Sequence, residues 1–243
     1  MLIYGVPHHY LAFSKHIVGG TRYMARDKAT QILRLLKKDF TLPAWTRRPR
    51  DPFQTLIRTV LSQATASINA SRAFENLSRR FPISPDALAE VKENEIEQAI
   101  RVAGLYRNKA KVIKALSHAV LEKHRGSLDF IYSLPLEEAR RTLTSLPGVG
   151  PKTADVVLLF SARRPTIPVD THVRRVSKRL GLAPTDADYE GVREALQSAY
   201  PSTDYLPVHL LLIALGRKYC KARKPICGLC PVNTLCPSST LGD

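Results

Sequence analysis

The chain has 243 residues, 44% of them apolar, with 37 Lys and Arg against 21 Asp and Glu, a formal charge of +16. That length suits one large domain or two small ones, and so large a basic excess favours a polyanionic partner, nucleic acid ahead of an anionic membrane. No apolar run reaches the roughly 18 residues needed to span a bilayer, and the N-terminal segment lacks the basic start, apolar block and small-residue cleavage site of a secretory leader, which argues against a membrane or secreted protein and for a cytoplasmic, nucleoid-associated one.

In chain order, residues 1–23 read as an N-terminal extension, where His8 and His9 are adjacent and so poorly placed to share one metal. Helical patterning begins over 27–38, with Ile32, Leu33 and Leu36 on one face. Pro43, Pro49 and Pro52 then break the pattern, with Arg47, Arg48 and Arg50 among them. Asp51 suits the N-cap of a helix opening at Pro52. Phe53, Leu56, Ile57, Val60, Leu61 and Ala64 continue it as a strong amphipathic stripe. Further helices are expected near 67–79, 85–90, 93–102, 108–123, 135–145, 151–162, 171–180, 187–199 and 206–218. Long alternating strand patterns and fixed-period repeats are absent, so the fold class is all-α with short connections.

The segment from Leu136 to Ala162 has a first helix striped by Leu136, Ala139, Leu143 and Leu146, then Leu-Pro-Gly148-Val149-Gly150, then Pro151 opening a second helix. Glycines allow backbone angles that other residues resist and let the chain approach a ligand closely. The amides that start the second helix face outward, where they can bind phosphate. The segment therefore reads as a helix–hairpin–helix that grips a nucleic-acid backbone without reading sequence, or as an ordinary tight turn. Lys152 lies just inside the second helix, where the helix dipole disfavours a cation and lowers its pKa. It reads equally as a nucleophile or as a phosphate-binding lysine. Asp170 lies 18 residues further on, at a helix start, where the usual role is an N-cap.

All four cysteines, Cys220, Cys227, Cys230 and Cys236, fall in the last 24 residues with the spacing C-x6-C-x2-C-x5-C. A cytosolic setting disfavours two disulfides, so a metal site is expected. The spacing alone admits structural zinc or an iron–sulfur cluster.

The sequence LPGVGPKTADVV, followed by PTIPVDTHVRRV and then the four-cysteine pattern, resembles the endonuclease III family of helix–hairpin–helix DNA glycosylases over roughly residues 50–237. The resemblance implies that Lys152 is the catalytic lysine and Asp170 the essential aspartate. It implies that Gln63 fills the gap left by a flipped base, and that Leu105 is a second wedge aimed at the opposite strand. By the same resemblance Gly148, Val149 and Gly150 hold DNA, and the four cysteines ligate a 4Fe–4S cluster. Lys221, Arg223 and Lys224, in the loop between Cys220 and Cys227, would touch phosphate. The implied architecture is a six-helix domain over 44–164 and a cluster domain from 24–43 plus 165–243, with Lys152 and Asp170 meeting at the cleft where DNA lies. A monomer acting on double-stranded DNA with damaged bases or abasic sites is expected. The leading activity is a glycosylase and abasic-site lyase for oxidised pyrimidines such as thymine glycol. A related glycosylase for uracil, mismatched thymine or alkylated bases is the alternative, as is a non-catalytic iron–sulfur DNA-binding protein. Ala66 stands where many members have Asp, and Asp155 where several have Asn, which puts substrate range in question more than reaction type.

Overall fold

The computed structural model describes residues 17–239. Most of the expected N-terminal extension, His8 and His9 included, lies outside the described residues. The first helix, α1, covers Ile17–Asp39 and so begins inside that expected extension. Eleven more α-helices follow: α2 Pro52–Ser62, α3 Ser67–Arg80, α4 Pro85–Glu90, α5 Glu93–Ala99, α6 Tyr106–His124, α7 Phe130–Ser133, α8 Leu136–Thr144, α9 Pro151–Ala162, α10 Thr171–Arg179, α11 Tyr189–Ala199 and α12 Tyr205–Lys218. No strand occurs among the described residues, and no helix there is long and apolar enough to cross a membrane.

Local chemistry sets several helix ends. Asp51 accepts from the Gln54 amide at 2.7 Å and Pro52 follows it, which starts α2 as the sequence implies. The far end of α2 differs from expectation. The helix stops at Ser62, and Ala64 sits in left-handed backbone at φ 47 rather than in the apolar stripe. The stretch expected to be helical to 102 ends at Ala99, with Ile100 leaving the helix and its amide closing on Ile96 O.

Two apolar cores form. The first gathers α2 to α9 through such fully buried residues as Leu56, Ile57, Leu61, Leu88, Ile113 and Ile131. The second joins α1 to α10, α11 and α12 through Ile32, Leu36, Val173, Leu196, Leu211 and Leu215. Burying a Leu or Ile side chain contributes about 1.5–3 kcal/mol. The ion pairs that also tie α1 to the far end of the chain, Lys37–Asp204 at 2.9 Å and Lys218–Asp39 at 3.3 Å, are partly exposed and worth at most about 1 kcal/mol each. Apolar burial therefore dominates that junction.

Helix α9 belongs to both cores. Ala154, Val157 and Leu158 pack into the first and Leu159 into the second. Asp155 points to neither. It is fully buried and held by Arg140 Nε of α8 at 3.0 Å, by the Tyr189 hydroxyl of α11 at 2.6 Å and by the Thr166 hydroxyl at 2.9 Å. Arg140 also bonds Glu190, which in turn accepts from Arg193 at 2.8 Å. Burial pushes the Asp155 carboxyl above its usual range, and the Tyr189, Arg140 and Thr166 contacts pull it back. Burial opposes the charge of Arg140, but Glu190 and Asp155 outweigh it and raise its pKa. The departure at position 155 thus builds an ionic knot between α8, α9 and α11 and does not face the cleft described below.

Breaking a buried pair by removing one partner costs about 3–5 kcal/mol, because the other charge is left uncompensated. Asp155→Ala should destabilise the fold by roughly that amount in denaturant unfolding. Asp155→Asn, which keeps groups in reach of Tyr189 and Thr166, should cost less. Equal stability of Asp155→Ala and the parent would contradict this account.

Candidate functional site

A cleft of about 920 Å³ opens where the two cores face each other. Its walls include Ser62 to Ser67, one stripe of α9 (Lys152, Val156, Phe160), the segment Val169 to His172, and His209, Ile213 and Arg217 of α12. Positions 152, 156 and 160 recur every fourth residue, so one stripe of α9 serves the cleft while its other faces pack. Among the described lining residues Asp170 is the one carboxylate, set against Arg50, Arg58, Lys152 and Arg217. Such a concave basic surface concentrates anions.

Lys152 and Asp170, far apart along the chain, both line this cleft. Burial lowers the Lys152 pKa, and the negative charge of Asp170 works in the opposite direction. Asp170 caps α10, its Oδ1 accepting from the Val173 amide at 2.8 Å. That bond fixes the carboxylate at the end of a helix while leaving its second oxygen for other partners. Behind it lies His209, whose Nδ1 stands 2.8 Å from the Pro168 carbonyl. A carbonyl only accepts, so Nδ1 carries the proton and donates. Burial pushes this imidazole down to about 4, so it is neutral near pH 7 and steadies the backbone leading to Asp170. No motif marks His209 in the sequence; it sits in the apolar pattern of α12.

The hairpin joins α8 to α9 as the sequence implies, but its two glycines differ. Gly148 has φ +73, and a Cβ there would stand 2.3 Å from Val112 Cγ1 of α6. Gly150 is the N-cap of α9 at φ −92, with nothing within 4 Å of the place a Cβ would take. Val149 between them is buried. The α9 amides at this end have no intrahelical acceptor and face the open side. Gln63 reaches the same turn, its Nε2 donating to Gly148 O at 3.2 Å.

Leu105 is not among the cleft-lining residues. It caps α6 in left-handed backbone at φ 58 with 63% of its surface exposed. Its neighbour Gly104 lies against the Ala64 carbonyl, so the two loops bearing Gln63 and Leu105 are adjacent. Ala66 does line the cleft, as N-cap of α3 without a side-chain bond.

The four cysteines surround a cavity of about 180 Å³ near the C-terminus. Burial raises the thiols of Cys230 and Cys236, and the neighbouring cysteines raise them further. Four cysteines lining one cavity are a donor set that fits a polynuclear iron–sulfur cluster. Helix α10 anchors this loop. Arg175 donates to Cys220 O at 3.0 Å and Gly216 O at 3.1 Å, and Arg179 donates to Lys221 O at 2.7 Å, Ala222 O at 3.1 Å and Cys220 Sγ at 3.5 Å. These bonds use the carbonyls of Cys220, Lys221 and Ala222, and Lys221, Arg223 and Lys224 are exposed.

Comparison with known proteins agrees with this arrangement. Residues 57–202 match the family model of the HhH-GPD superfamily base excision DNA repair protein, and residues 220–236 match the iron-sulfur binding domain of endonuclease III. Endonuclease III of Sulfolobus acidocaldarius is 38% identical over 201 residues, 82% of this chain and 88% of the relative. Endonuclease III of Escherichia coli K12 is 35% identical over 215 residues, 88% of this chain and 96% of the relative. A solved structure of a trapped endonuclease III–DNA covalent intermediate superposes with a TM-score of 0.76 at 34% identity, covering 88% of this chain and 96% of that one.

The unequal glycines give a stability test. Gly148→Ala combines backbone strain of about 1–2 kcal/mol with overpacking of about 1–3 kcal/mol, and should lower the unfolding midpoint clearly. Gly150→Ala meets neither obstacle and should stay within about 1 kcal/mol of the parent.

Proposed function

The chain belongs to the endonuclease III family of base-excision DNA glycosylases and abasic-site lyases, and we propose that Lys152 and Asp170 carry its chemistry on oxidised pyrimidines such as thymine glycol in duplex DNA. The observation that carries this reading is the meeting, in one basic cleft, of a half-buried amine and a capping carboxylate.

A base within a duplex cannot be reached, so the nucleotide must be extruded at a cost of a few kcal/mol. Gln63 and Leu105 offset part of that cost by occupying the space vacated between the strands. The amides at Gly150 and the start of α9 hold a phosphate, as do Lys221, Arg223 and Lys224, and this fixes the backbone in register. The neutral Lys152 amine attacks C1′ as the bond from C1′ to the base breaks, and the base leaves with the bonding pair and takes up a proton. Asp170 stabilises the positive charge that develops on the sugar. The sugar ring opens to an imine linked to Nζ. Loss of a proton from C2′ then expels the 3′ phosphate, and water hydrolyses the imine to free the lysine. Residues 44–164 act as one domain and 24–43 with 165–243 as the other, and a monomer suffices for one lesion. The 4Fe–4S cluster held by Cys220, Cys227, Cys230 and Cys236 supplies a structural cross-link that keeps the basic loop in place.

An ammonium is no nucleophile, so activity should fall as pH drops through the lowered Lys152 pKa. Asp170 raises that pKa, so Asp170→Asn should move the acid limb of the single-turnover rate to lower pH while slowing the plateau by about 100-fold. Borohydride trapping on duplexes holding one thymine glycol or one abasic site should give a covalent complex that Lys152→Ala abolishes. Trapping on the abasic site alone would retain the lyase but reject thymine glycol as substrate. No trapping on either, with binding intact, would overturn the assignment of Lys152. Gly150→Ala, although folded, should bind duplex about tenfold more weakly, because its methyl stands where phosphate approaches the amides.

A further inference from the structure

Lys109 is a lysine that the reaction above does not use, and it is only 4% exposed. Long cationic side chains are almost never buried without partners. Its Nζ donates to the Leu61 carbonyl at 3.0 Å and to the Thr65 hydroxyl. Leu61 lies in the last turn of α2, where carbonyls lack intrahelical partners and the helix dipole favours a cation. Because an ammonium can only donate, the Thr65 oxygen accepts from it and the Thr65 proton is directed elsewhere. It goes to the Gln63 carbonyl, 3.1 Å away. A one-way chain of hydrogen bonds thus runs from Lys109 through Thr65 to the backbone of Gln63.

The same lysine is built into the other loop. Its own amide closes on Leu105 O at 3.0 Å, in the first turn of α6. Both loops hold residues in left-handed backbone, Ala64 at φ 47 and Leu105 at φ 58, a conformation that side chains with a Cβ adopt rarely and only when their surroundings over-determine it. One residue touches both, the Thr65 loop through its buried ammonium and the Leu105 loop through its backbone amide.

We propose that Lys109 is the positioning residue that sets where the two wedges stand, acting on Gln63 through Thr65 and on Leu105 through the first turn of α6. This rests on the reading of Gln63 and Leu105 as wedges. Removing these side-chain bonds would leave both wedges present, with the Gln63 loop free to settle away from its place relative to Leu105. Errors of about 1 Å in such placement are enough to slow a reaction 100-fold.

The test reads wedge insertion directly. A duplex carrying a tetrahydrofuran abasic analogue opposite 2-aminopurine is titrated to saturation with full-length holoenzyme, and the fluorescence rise reports unstacking of the estranged base. The parent should give the full rise and Gln63→Ala little of it. Lys109→Met and Thr65→Val should each lose at least about half of the rise while unfolding cooperatively. Thr65→Val keeps the residue's shape and removes only the hydroxyl, so it decides alone if Lys109→Met does not fold. Full rise in Thr65→Val, or in a folded Lys109→Met, would overturn the proposal and leave Lys109 a packing residue. Absence of a rise in the parent would instead reject the wedge reading on which it rests.

Discussion

The proposed reaction needs an amine that is neutral yet stands beside a carboxylate, and that constraint is the one around which this molecule is organised. Burial disfavours the ammonium and Asp170 favours it, so the geometry has to keep both effects in play. Neither core alone could do so, because a lysine inside one would lose its access to substrate. Setting Lys152 on the helix shared by both cores solves this. Helix α9 gives one face to each core, one to the cleft and one to the ionic knot at Asp155. It has no solvated face left, which is why its sequence is apolar nearly all round.

Helix α10 plays the complementary part. Asp170 sits at its start, and Arg175 and Arg179 toward its end hold the backbone of the cysteine loop. Nine residues therefore connect the carboxylate of the cleft to the scaffold of the cluster. His209 and the Pro168 carbonyl brace the approach to that helix from α12. Position within the cleft is thus inherited from packing and backbone bonds several residues away.

Much of this was legible in the sequence where a single residue type answers a single local need. Asp51 before Pro52 caps a helix, and the hairpin's Pro-Gly-Val-Gly-Pro can do little except turn. The cysteine spacing marked a metal site, and the match of residues 220–236 to the iron-sulfur binding domain of endonuclease III separates a cluster from a single ion. What stayed hidden depends on partners distant in the chain. Ala64 fits the apolar period of α2, but the helix ends before it because Lys109 and Thr65 hold the loop in another shape. Asp155 put substrate range in question, and only Arg140 and Tyr189 reveal that it faces away from the cleft. His209 and Lys109 carry no motif, since a buried polar residue within an apolar stripe is defined by what it touches.

The two glycines of the hairpin answer to different masters. Gly148 is confined by the protein's own interior, through Val112, whereas Gly150 is confined by nothing in the protein. A descendant that kept this fold but abandoned its polyanionic ligand would retain the first glycine and let the second drift. A substitution at 148 would need a smaller residue at 112 and would still carry the strain of its positive φ. Among divergent copies of this scaffold, the pattern of loss at these two neighbouring positions would therefore record which of them still grip a phosphate backbone and which have merely kept the shape.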